Sequence, residues 1–178
     1  MSQQNTLVRS LHDVGLAAWF GGSLMGAIGL NGAAAEAENP RERLTLSSAG
    51  WARWAPVNAI AIAAHVYGGL GLLAGNKVRL SKQPETQANT ALKTAVTGAA
   101  ILSTAYSGLL GRKVAKLADE GTHGVTEPRA GASAKLKRAQ RRLRTLQWMT
   151  PGLTGALVVL TAQQGEQQRP LAGLLHRR

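Results

Sequence analysis

The sequence predicts an all-α protein, a four-helix transmembrane bundle with a basic interfacial helix ahead of the last span. Three observations lead there. Four long stretches carry no charged side chain, residues 14–35, 54–76, 94–111 and 145–165, each close to the roughly 17 to 25 residues with which a helix crosses a bilayer. Trp51, Trp54 and Trp148 stand near the starts of the second and fourth stretches, where indole rings favour the headgroup boundary. Small residues recur within the stretches at spacings of three and four, the pattern by which membrane helices bring their backbones together. A chain of 178 residues fits a single domain, 1–178.

In the first stretch, Ser10 reads as a helix cap and Asp13 as a carboxylate that complements a helix N-terminus. Ala18, Gly22 and Gly26 form a ridge beyond them. The ten residues ahead are polar with one Arg, without the cleavage pattern of a secretory leader, so this helix is expected to be retained. In the second stretch Pro56 fits a helix beginning or a local kink, and Ala61, Ala64, Gly68, Gly71 and Gly75 repeat the small-residue spacing. The third offers Ala99, Ser103, Ser107 and Gly111. Pro151 sits early in the fourth. No strand-like alternation runs long enough to compete.

The connection from Arg112 to Arg144 holds a Gly-rich loop, GTHGVTEPRAGAS, and then the run AKLKRAQRRLRTLQW, residues 134–148. As a helix, that run gathers Leu136, Ala139, Leu143, Leu146 and Trp148 on one face. Lys135, Lys137, Arg138, Arg141, Arg142 and Arg144 cover much of the rest. Such a helix is expected to lie at the membrane surface and hold anionic lipid headgroups.

Lys and Arg number 21 against 9 Asp and Glu, a net charge of +12. The connections after the first and third stretches carry Arg41, Arg43, Arg53 and ten Lys or Arg between Arg112 and Arg144. The opposite side carries Arg9, Lys77, Arg79, Lys82, Lys93, Arg169, Arg177 and Arg178. Because basic loops stay cytoplasmic, both termini are expected outside. A mean hydropathy of −0.08 keeps open a soluble basic helical protein that binds nucleic acid, although no aromatic residues interleave with the charge to form a reading surface.

The chain has no Cys, which removes disulfides, thiolate metal sites and a Cys nucleophile. No H-E-x-x-H, Walker A, G-x-S-x-G or dinucleotide fingerprint occurs, so no enzyme is expected. GGLGLLAG lacks the preceding strand and the Lys of a phosphate loop and reads as a packing surface. Of the four His, His12 and His65 fall near spans. His12 beside Asp13 is expected at the wet mouth of the first helix. His65 falls near mid-span, where an ionisable group marks a functional site by default. Its expected partners are Ser103, Thr104, Tyr106 or Ser107, with structural hydrogen bonding preferred over cofactor binding. A bis-His haem needs two His at one depth, and the span boundaries put His12 and His65 at different depths.

The pattern H-x6-W-x-G-G, from His12 through Trp19 to Gly22, resembles the opening helix of CopD-type bacterial membrane bundles. The resemblance covers one helix. It implies a polytopic bundle in the bacterial inner membrane, in a group sometimes associated with copper handling. Met1, Met25 and Met149 form no soft-ligand cluster. The expectation is therefore a small bacterial inner-membrane protein with a structural, accessory or interaction role, its partners the bilayer and another membrane subunit or a second copy. The alternatives are a membrane redox or transport component using His65, and the nucleic-acid-binding protein.

Overall fold

The computed structural model describes residues 3–75 and 84–167, and among them every regular element is helical. Asn76, which closes the second charge-free stretch, lies outside the described residues, as do Lys77, Arg79, Lys82, Arg169, His176, Arg177 and Arg178.

Helix α1 spans Gln3–Met25, continues through a single π turn, Gly26–Leu30, and ends in α2, Asn31–Ala35. Helix α3 spans Pro40–Gly75, α4 spans Pro84–Ala115 and α5 spans Ala134–Gln167, with a short 3-10 turn at Ala118–Glu120. The expected four helices are present, but longer than the charge-free stretches. At 1.5 Å per residue, the 36 residues of α3 extend about 54 Å, against a hydrocarbon thickness of about 30 Å. Thr6–Ala35 and Pro40–Gly75 are long and apolar enough to cross a membrane; among the described residues α4 and α5 do not combine length and hydropathy to the same degree. Pro56 and Pro151 lie inside helices rather than at their starts.

The turn between α2 and α3 is short and strongly specified. Asn39 accepts the amide N–H of Arg41 at 3.0 Å, capping α3, and Pro40 takes the first helical position, where its missing N–H costs nothing. The result is an antiparallel hairpin in which α1 lies along α3. A second hairpin pairs α4 with α5, and α1 packs on α5 to join the two.

Two apolar cores divide the bundle. Trp19, Ala61 and Ala100, with Ala18, Ile62, Ile101 and Leu153 around them, fill the middle with mostly small residues. Leu44, Leu110, Val114, Leu136, Ala139 and Leu146 make a larger core at the end where α3 and α5 begin. The second core corrects one expectation. Residues 134–148 are not a separate interfacial helix but the first turns of α5, and the face of Leu136, Ala139, Leu143 and Leu146 is turned onto α3 and α4 rather than left for lipid. Trp148 stays exposed.

The small-residue ridges divide between close contacts and open positions. A Cβ on Gly68 would collide with the Val8 carbonyl and the His12 amide, one on Gly22 with the Trp54 indole, and one on Gly26 with the Trp51 indole; one on Gly71 would come within 2.7 Å of the Val8 side chain. Ala18 borders the central core. Gly111 instead faces open space and Gly75 is exposed, so neither is a close-contact point. Of the third ridge, Ser103 is buried and Ser107 half-buried, while Ala99 is exposed. Residues four apart drift around a straight helix, and the ridge leaves the interface.

Candidate functional site

Two glycines bring the backbones of α1 and α3 into contact, and between them sit two histidines. Gly15 lies against the Ala61 carbonyl and the His65 amide, and Gly68 against the backbone of Val8 and His12. With no side chains to hold the helices apart at these points, the imidazoles of His12 and His65 meet, ring centroids 4.2 Å apart and planes 39° from parallel. Both residues are buried, at 4% and 3% exposure. His12 is therefore not at a wet helix mouth, and the two histidines share one depth.

Hydrogen bonds set the orientation of each ring. His65 Nδ1 lies 3.1 Å from the His12 carbonyl oxygen. A carbonyl only accepts, so Nδ1 carries the proton and Nε2 the lone pair. His12 Nδ1 lies 2.8 Å from Asp13 Oδ1, which favours the same tautomer: a carboxylate behind Nδ1 holds the ring and leaves Nε2 basic. Arg9, Asp13 and Lys93 are the charges that reach this pair. Stacked at 4.2 Å, the rings leave no gap for a porphyrin between them, so this arrangement is not that of two axial ligands on one haem iron.

The ring of Trp19 completes the cluster from α1, its centroid 6.1 Å from that of His65 in an edge-on arrangement. Trp19 is fully buried, and its indole N–H donates to Thr104 Oγ1 of α4 at 3.1 Å. Thr104 in turn donates to the Ala100 carbonyl at 2.9 Å. Three of the four residues expected to satisfy His65 are thus engaged elsewhere: Thr104 with Trp19, Ser103 with Thr150 of α5 at 2.7 Å, and Tyr106 with Arg142 at 2.7 Å. Asn58 Oδ1, Trp54 Nε1 and Ser107 Oγ are buried without a hydrogen-bond partner among the described residues. Among the described residues no group of three or more His, Asp or Glu is placed to hold a metal ion.

A second polar hub joins the helices at the other end. The π turn carries an extra residue and rotates the helix beyond it, and Asn31 points inward. Its Oδ1 accepts from Ser47 Oγ at 2.9 Å and Trp51 Nε1 at 3.0 Å, and its Nδ2 donates to Gln147 Oε1 of α5 at 3.1 Å.

The six basic residues of the α5 start divide. Lys137 Nζ donates to the Ala130 carbonyl, Arg142 to Tyr106, and Arg144 faces Glu127 at 3.7 Å. Arg141 Nε reaches the Lys137 carbonyl of its own helix, at 3.4 Å. Lys135, Arg138 and Arg141 are not buried in the core.

Comparison with known protein families, with curated proteins and with solved structures finds no match. Among the described residues the fold and site define four long helices, two of them apolar and long enough for a membrane, with a histidine pair in ring contact where α1 crosses α3.

Proposed function

We propose that this chain is a small multi-pass protein of a bacterial inner membrane, with a structural or accessory role played by its helical bundle. The observation that carries the reading is the direction in which apolar side chains point. In the most apolar windows of α1 and α3 only 33% and 22% of residues are buried, whereas the core helix of a water-soluble protein buries most of its apolar surface. Val14, Ile60, Leu70, Leu102, Leu109 and Val159 are all more than half exposed. An outward apolar surface distributed over all four long helices is suited to lipid.

The spacing of charges on α4 supports crossing by that helix too. Lys93 and Arg112 bracket its uncharged part, about 28 Å apart at 1.5 Å per residue, close to the hydrocarbon thickness. The end bearing the Leu-rich core and the basic α4–α5 connection then projects from the cytoplasmic side. Recovery of the protein in membranes after an alkaline carbonate wash supports the reading; recovery in the soluble fraction without detergent removes it and favours the nucleic-acid-binding alternative.

A second reading rests on the histidine pair. Two Nε2 lone pairs, each backed by an Nδ1–H bond, suit a redox or transport role in which His65 holds a cation or a proton. Purified protein without visible absorption or bound metal, together with unchanged cation and proton flux in His65→Ala vesicles, eliminates it.

A further inference from the structure

The loop between α4 and α5 is held by a network of hydrogen bonds and leaves an open cleft against the start of α3. Gln140, fully buried on α5, donates to Thr122 Oγ1 at 2.7 Å and to the Val125 carbonyl at 2.9 Å. The Thr122 hydroxyl shares its own proton between the Gly124 and Glu127 carbonyls, at 2.6 and 2.7 Å. From the other side Arg43 of α3 reaches into the loop, Nη1 donating to the carbonyls of Thr122 and His123 while Nε donates to the Ala37 carbonyl at 2.8 Å. Pro40 accepts the Thr122 amide at 3.1 Å, and Gly121 at φ 68° turns the chain over Pro40 in a conformation that disfavours a side chain.

The cleft these contacts leave has a volume of about 340 Å³ and is lined by Pro40, Arg43, Thr122, His123, Arg129 and Gly131. Three of those side chains are basic or imidazole, and no carboxylate lines it. Two acids of the loop point elsewhere: Glu120 accepts from the Ser133 amide and hydroxyl at the start of α5, and Glu127 faces Thr126 and Arg144. The bonds of Arg43 use Nε and Nη1, leaving the two N–H groups of Nη2 for a ligand. Arg129 is exposed and makes no side-chain bond among the described residues.

We infer that this cleft binds a soluble phosphate-bearing anion, held by Arg43 and Arg129 with His123 as a third donor. Guanidinium pairs suit phosphate because their planar N–H forks match its oxygens. A lipid headgroup carries the same chemistry, and the titration below separates the two sources.

The test uses the full chain in neutral detergent micelles, so it does not depend on membrane insertion, with inorganic pyrophosphate titrated by calorimetry. Expected is saturable binding, weakened at least tenfold by Arg129→Gln and also by His123→Ala, and unchanged by Arg141→Gln on the exposed face of α5. Circular dichroism of Arg129→Gln, a surface change, should match the parent. Absence of pyrophosphate binding overturns the proposal. So does equal weakening by Arg141→Gln, which would mean a diffuse positive field, or binding of short-chain phosphatidylglycerol in preference to pyrophosphate.

Discussion

Gly68 of α3 lies directly against the backbone of His12 of α1, with no room for a methyl group between them. The contact is backbone to backbone, so no flexible side chain is available to yield. Gly68→Ala should destabilise the bundle by about 1 to 3 kcal/mol, the cost of overpacking. Gly108→Ala, at a helical position that meets nothing within 4 Å, should be neutral or stabilising by up to about 1 kcal/mol. Unfolding of both variants in mixed micelles checks this; equal effects would mean that α1 and α3 do not cross at these glycines.

His65 is held by one specific bond, Nδ1–H to the His12 carbonyl. His65→Ala loses that bond and the stacked ring and should cost about 1 to 3 kcal/mol. His65→Asn places an amide N–H near the position of Nδ1 and should recover part of the loss. A variant His65→Asn no better than His65→Ala would argue against the bond as the anchor.

The Trp19 to Thr104 hydrogen bond couples the first hairpin to the second. Thr104→Val keeps the shape and removes the acceptor, at an expected cost of about 0.6 to 1.7 kcal/mol, the range for polar contacts between membrane helices. Trp19 emission provides the readout: it should change in Thr104→Val and remain as in the parent in Thr97→Val, two helical turns away along α4.

Leu136 is fully buried beneath the α4–α5 loop. Leu136→Ala should cost about 2 to 5 kcal/mol and loosen the loop it supports, so limited trypsin cleavage after Arg129 should accelerate. Leu102→Ala removes a side chain that is 72% exposed and should leave the cleavage rate unchanged.

Much of the architecture is legible in the residues alone. The charge-free stretches mark where four helices run, and Gly22, Gly26, Gly68 and Gly71 mark where they touch. Helix ends are less legible, because α3 and α5 continue through charged residues that a membrane pattern takes as boundaries. That difference displaces His12. Taking 14–35 and 54–76 as coextensive spans puts it at a mouth, whereas the short turn at residues 36–39 fixes a hairpin whose reflection about Glu38–Asn39 pairs position 12 with position 65. The turn length, rather than the charge pattern, holds the signal for the histidine pair. Gly15, three residues before Ala18, extends the same ridge toward the N-terminus and stands on the contact line. The α4–α5 loop is illegible because its order comes from Gln140, Arg43 and backbone carbonyls far apart in sequence.

The central claim is that the exposed apolar surface faces lipid, and the absence of native Cys makes it directly measurable. Single-Cys variants Ile60→Cys, Leu102→Cys and Arg129→Cys would be treated with a charged maleimide in opened membrane vesicles, then again after denaturation in detergent. The account predicts rapid labelling at position 129, and at positions 60 and 102 labelling only after denaturation. Rapid labelling at all three positions, from protein recovered without detergent, would contradict it.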